Sequence, residues 1–401
     1  MVLDDICVLI ADCPHSTAPD EGSGYPLIRT PNIGKARFLL DGVNRVSKQV
    51  YEQRNKRATP QDNDIIFARE APAGNAAIIK NGDKYCLGQR TVLIRPDPQK
   101  VNPDYLVYYL LAPEQQHKLL STAHGATVSH VNIPDIHNMN VDNLPSIENQ
   151  KQIANTLIAY DDLIENNQKQ IKLLEEAAQR LYKEWFIDLR FPGHESTPIH
   201  DGIPAGWERT TVERIAAVLR RGISPTYDSN GDSTVINQKC IRQTIVDLGE
   251  ARKQTKKYPD ELNLQNGDTV ICSTGDGTLG RVGQIFGELE KTTLDSHVTL
   301  VRATSDVGTQ LLFWTIKSQQ AFLQGMGKGS TNQLELSRSV IQELPFILPD
   351  SNTRMAFEVL AQAIHDKITA QNKQIIELQT ARDRLLPKLM SGEIEILKGV
   401  S

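Results

Sequence analysis

Asn167-Gln168-Lys169-Gln170-Ile171 returns 204 residues later as Gln371-Asn372-Lys373-Gln374-Ile375, in a chain of 401 residues. The same offset carries Leu174 to Leu378, Ala177 to Ala381, Arg180 to Arg384 and Leu181 to Leu385. It also carries Leu144-Pro145 to Leu348-Pro349, Gly125 and Thr127 to Gly329 and Thr331, and Asp64 to Asp268. A period of half the chain is far longer than the ~20 to 50 residues of a solenoid repeat. It describes one domain-plus-helix unit duplicated in tandem, so the chain is expected to perform its task twice.

Outward from the quoted stretch, Leu157, Ile164, Asn167, Ile171, Leu174, Leu181 and Trp185 follow a seven-residue repeat, with Ile153, Tyr160 and Ala178 in the same register. Shifted by 204, the seam continues through Ile364, Ile368, Gln371, Ile375, Leu378, Leu385 and Leu389. A heptad seam sustained this long asks for a partner helix along its length. Two such helices, joined by a whole domain that returns the chain to the start of the seam, are expected to pair antiparallel. Glu148, Asp161, Asp162, Glu165, Lys169, Lys172, Glu175, Glu176 and Lys183 are read as their polar outer face, against the plainer reading of two core helices.

The rest of the chain divides accordingly. Residues 1–146 form a first globular domain, 147–187 a first spacer helix and 188–207 a linker. Residues 208–350 form a second domain, and 351–401 a second spacer helix with a tail. The linker carries Pro192-Gly193 and Pro204-Ala205-Gly206, which stop a helix. Within each domain a strand runs into a turn-rich loop: Asp64 to Arg69 before Glu70 to Asn75, and Asp268 to Ser273 before Gly275 to Arg281. Further strands follow at Arg90 to Arg95 and His297 to Arg302, now 207 apart. Apolar helical stretches come next, and then Gly125-Ala126-Thr127 and Gly329-Ser330-Thr331.

Composition excludes several classes. Hydrophobic content of 39% with 23% charged residues fits a globular protein. No run approaches the ~18 apolar residues of a membrane span, and the first residues carry no basic signal region, so a cytoplasmic address is expected. Five cysteines without a Cys-x-x-Cys pair read as reduced, packed thiols.

Enzyme motifs fail on inspection. Asn102-Pro103-Asp104-Tyr105 lacks the second Pro of an adenine methyltransferase Asn-Pro-Pro-Tyr motif and has no counterpart in the second half; Pro103 reads instead as a helix start, with Tyr105 and Tyr108 packed. Gly325 to Ser330 resembles a phosphate loop, but Gly329 follows Lys328 where Ser or Thr is required. Asp228 to Asp232 begins like a calcium loop, but Ser233 stands where Gly is needed. The nine histidines show no metal-ligand spacing; His124 and His130 are either surface groups or DNA contacts.

The order of strand, turn-rich loop, strand, aromatic helix, Gly-Ala/Ser-Thr, Leu-Pro and long helix, done twice, resembles the specificity subunits of type I restriction-modification systems. Two departures stand out: Ala71-Pro72-Ala73-Gly74 replaces the usual Gly-x-x-Gly, and Asn352-Thr353-Arg354 stands in the second half where the first has the Glu148-Asn149-Gln150 of Glu-Asn-Gln-Lys-Gln. The resemblance implies an α+β fold with two mixed, β-rich target recognition domains and an antiparallel two-helix spacer, related by a pseudo-two-fold axis. It implies a non-catalytic subunit that reads an asymmetric bipartite sequence in double-stranded DNA and docks two methyltransferase subunits, with restriction-translocase subunits added for cleavage. S-adenosylmethionine and the methylation of adenine N6 would belong to the partner. Two other readings are the sequence-reading part of a fused restriction or methylation enzyme, and a helical scaffold that does not touch DNA.

The net charge of −5 argues mildly against a general nucleic-acid binder. Locally, Lys35 to Arg57 carries seven basic residues against two acids, and Lys239 to Lys257 six against two, at equivalent places in the two halves. Phosphate neutralisation by such clusters supplies affinity, while loop side chains discriminate bases. The expected DNA contacts are Lys35, Arg37, Arg54, Lys56, Arg57, Arg69, Asn75 and His124 in the first half. In the second they are Lys239, Arg242, Lys253, Lys256, Lys257, Thr274, Arg281 and Lys328.

Overall fold

The computed structural model describes residues 1–70, 72–121, 130–287, 289–326 and 335–395. The chain forms two units: residues 1–165 with 376–401, and residues 166–375. Each long helix, Ile147–Tyr182 and Ser351–Ser391, gives one part of its length to each unit.

In the first unit the strand Ile65–Ala68 is buried throughout. Side chains alternate across a strand, and here Ile65 and Phe67 enter one core while Ile66 and Ala68 enter another. That double burial explains a continuous apolar run in a sheet whose pairings are mostly antiparallel. The sheet order is Cys7–Asp12, Thr91–Pro96, Ile65–Ala68, Ala76–Ile78 and Lys35–Ala36. A smaller sheet runs Arg45–Val46, Tyr25–Ile28 and Cys86–Leu87.

The second unit repeats the plan. Ala216–Arg221, Val298–Ala303, Thr269–Cys272 and Val282–Gln284 form one sheet, and Arg252–Gln254, Ser233–Ile236 and Thr292–Leu294 the smaller one. In both smaller sheets the central strand pairs antiparallel on one side and parallel on the other. Ile271 faces one core, whereas Val270 and Cys272 face the other.

The helix pairing is antiparallel within each unit. In the first, Arg382 binds Asp161 at 2.5 Å, and Ile153, Ala154 and Leu157 share a core with Leu386 and Leu389. In the second, Asn167 Nδ2 donates to Gln374 Oε1 at 3.0 Å, Gln371 donates to Gln170, and Trp185 lies 5.9 Å from Phe357. The two polar seam residues, Asn167 and Gln371, are buried and fix the register by side-chain hydrogen bonds. Among the predicted seam positions Leu174, Leu181, Ile364, Leu378 and Leu385 are half-buried, while Leu157, Ile164, Ile171, Trp185, Ile368, Ile375 and Leu389 are buried.

Asp161 corrects the expected outer face. It is 5% exposed and accepts from Tyr108 Oη at 2.5 Å as well as from Arg382, because the first domain packs over that side of the helix. Burial, and then the Asp161 carboxylate, push the Tyr108 hydroxyl pKa up. The segment expected as a linker is also folded. A π turn at Lys183–Ile187 ends the first long helix, and a short hairpin pairs Ile199–His200 with Ile203–Pro204. Phe186 stacks edge-on to Phe357 at 4.9 Å, Phe191 lies 4.8 Å from Trp207, and Trp207 Nε1 donates to Asp350.

Candidate nucleic-acid interface

The site is built on a framework that recurs in both units. Asp64 and Asp268, matched by the 204 offset, each receive a two-pronged arginine from the neighbouring strand. Arg95 Nε and Nη2 reach Asp64 at 2.8 Å each, and Arg302 Nε and Nη2 reach Asp268 at 2.7 and 2.6 Å. Each carboxylate also accepts a backbone amide three residues earlier, from Gln61 or Gln265. A fork held this way fixes strand register and the direction in which the strand leaves the sheet.

At the far end of that strand each unit carries a polar platform. In the first, Arg69 donates to Asp12 at 3.1 Å and to the carbonyl of Val131, while Glu70 accepts from Arg90 at 3.0 Å and meets His130 at 2.7 Å. In the second, Thr274 meets His297 Nδ1 at 2.6 Å, and Arg221 binds Glu335 at 2.6 Å and the carbonyl of Leu336. The backbone bridges agree: Glu70 pairs with His130, and Thr274 with Glu335. The residue chemistry has changed almost completely on one backbone frame.

The basic stretches fare unequally. Lys35 and Arg37 pair with helix acids at the surface, Lys35 with Asp383 at 3.7 Å and Arg37 with Asp162 at 2.6 Å. Arg54 is 8% exposed, donating to the carbonyls of Leu87 and Ser16. Arg69 is 7% exposed within its platform, and Asn75 donates to the carbonyl of Ile33. Arg54 and Arg69 thus spend guanidinium donors on the domain's own framework, a direction that charge density in the sequence does not disclose. Lys56 and Arg57 are exposed and enter no ion pair among the described residues.

In the second unit the stretch stays at the surface. Lys239, Arg242, Lys253, Lys256 and Lys257 are all exposed. Arg242 is held by Glu250 at 3.3 Å, Lys253 by Thr234 Oγ1, and Lys256 by the carbonyl of Ser224. Thr274 and Arg281 flank the glycine-rich loop and are half-buried. His124 and Lys328 lie outside the described residues, as do the Gly-Ala-Thr and Gly-Ser-Thr segments.

Two sequence readings are settled locally. Asn102 Oδ1 accepts the amide of Tyr105 at 2.9 Å and caps the helix Pro103–Leu111, whose Tyr105 and Tyr108 are buried, so this motif is a helix start. All five cysteines are free thiols, and burial pushes Cys86 and Cys240 up to about 11 and Cys7 and Cys272 up to about 12. No group of acids, histidines and cysteines suited to a metal occurs among the described residues, and no described helix is long and apolar enough to cross a membrane.

Residues 1–176 match the family model of the type I restriction modification DNA specificity domain. The MjaIX specificity subunit of a type I restriction enzyme from Methanocaldococcus jannaschii is 24% identical, over 94% of this chain and 88% of its own length. The HindI specificity subunit from Haemophilus influenzae is 22% identical, over 93% of this chain and 95% of its own. The crystal structure of the S subunit of a type I system from M. genitalium has the same fold, with a TM-score of 0.56 at 14% identity, covering 97% of this chain and 95% of that one. The chain is thus similar, over nearly its whole length, to specificity subunits of type I restriction enzymes.

Proposed function

We propose that this subunit reads an asymmetric, bipartite sequence in double-stranded DNA, one half-site by each globular domain. Its helix pair docks two methyltransferase subunits, and through them a restriction subunit. Adenine N6 methylation from S-adenosylmethionine is then the partner's chemistry, in the cytoplasm. The observation that carries this reading is the recurrence of one backbone frame with different polar side chains at its strand-end platforms. A reader of two unlike half-sites needs that combination, since the frame positions and the side chains specify. Sequencing of methylated adenines in cells expressing the chain with its methyltransferase should return one bipartite motif with two unrelated halves. A single continuous motif, or methylation independent of this chain, refutes the proposal.

A further inference from the structure

The smaller sheets of the two units align residue by residue when the offset is taken as 208. Tyr25 pairs with Val46 as Ser233 pairs with Gln254, and Pro26 with Arg45 as Thr234 with Lys253. Each central strand then runs through one residue into a 3-10 turn, Thr30–Asn32 or Gln238–Cys240. On this match Arg29 corresponds to Asn237, and Asn44 to Arg252. An arginine and an asparagine have exchanged places on a common frame.

In the first unit the pair is joined, Arg29 Nη2 donating to Asn44 Oδ1 at 3.4 Å. In the second, Asn237, whose Nδ2 donates to the Glu250 carbonyl and whose Oδ1 accepts the Lys239 amide, lines a cleft of about 340 Å³ with Gln238, Arg252 and His297, and Arg252 lies over the Tyr227 ring, 3.7 Å from its centroid. The glycine-rich loop borders this cleft, since a Cβ on Gly275 would come within 3.0 Å of Gln238 Oε1. Two buried side-chain atoms here have no hydrogen-bond partner among the described residues, Arg29 Nε and Gln238 Oε1, at adjacent positions of the matched frame.

We propose that Arg29 and Asn44 in the first domain, and Asn237, Gln238 and Arg252 in the second, are base-reading side chains. Their exchange sets the order of bases in each half-site. Arginine presents two donors to guanine O6 and N7, whereas asparagine and glutamine match adenine N6 and N7. Each half-site therefore contains a guanine and an adenine contact, in opposite order relative to the domain frame. The assignment rests on the DNA-reading function proposed above.

The test uses the full chain co-expressed with its methyltransferase, read by the methylated motif and by competition among duplexes that differ at one base pair. Asn237→Ala and Arg252→Ala should each lose discrimination at one base pair of one half-site, by roughly ten-fold to a hundred-fold. Arg29→Ala and Asn44→Ala should do so in the other half only. Arg252→Lys, which keeps the charge but not the fork, should lose discrimination like the alanine variant. An unchanged motif, or an affinity loss equal for all duplexes, overturns the base-reading assignment while leaving the DNA-binding function intact. A wild-type complex with no sequence preference overturns that function itself, and this assignment with it.

Discussion

Removing one carboxylate from the framework tests whether the buried fork holds the second domain. The Asp268 side chain is 2% exposed and accepts two bonds from Arg302 and one from the Gln265 amide at 2.8 Å. In Asp268→Ala the guanidinium, 16% exposed, keeps only the carbonyls of Glu261 and Asn263. Breaking a buried pair from one side costs about 3–5 kcal/mol, because an unpaired charge stays in the interior. All three tryptophans, Trp185, Trp207 and Trp314, lie in the second unit, so their fluorescence reports its unfolding. With a urea slope of about 2 kcal/mol/M, the transition should move down by roughly 1.5–2.5 M. In an Arg302→Met background the same substitution should cost far less, since no charge is left unpaired. A shift below about 0.5 M, or an equal cost in both backgrounds, refutes the reasoning.

Ile368→Asp, at a seam position 2% exposed, should destabilise the helix pair and lose the methyltransferase on co-purification; intact co-purification sinks the docking role of the pair. Leu174 and Leu378 are half-buried, so aspartate there should act more weakly. Lys257→Ala should lower affinity for all duplexes alike and reduce the salt slope by about one, and an unchanged slope removes Lys257 from the interface. His365 is buried, stacks on Phe286 at 4.2 Å, and is held at about pKa 4 by burial. Because its folded pKa is depressed, its contribution is complete above about pH 6.5 and is lost as pH falls toward 4, by about 3 kcal/mol in all. His365→Gln should flatten the acid limb of the second unit's stability, and an unaltered limb refutes that assignment.

The duplication and the helix seam were legible because both are periodic in the chain, and periodicity survives without knowledge of the third dimension. The Asp64 and Asp268 match was visible too, but their arginine partners, Arg95 and Arg302, lie a strand away and only pairing brings them together. Side-chain direction within the basic clusters was hidden for a related reason. Lys35, Arg37 and Arg54 sit in one run of positive charge, yet the first two turn to helix acids and the third into the domain. Arg29, Asn44 and Asn237 give no signal in the sequence because the offset drifts from 204 to 208 in that stretch, which conceals their equivalence until the strands are paired.

By itself the sequence determined that there are two domains and a paired helix between repeats, since hydrophobic period and repeat offset are local properties of the chain. Only the tertiary structure decided which charges face outward and which polar residues of the two halves occupy the same place. Side-chain direction depends on strand pairing and on what packs across each face, and neither is written in the spacing of residues.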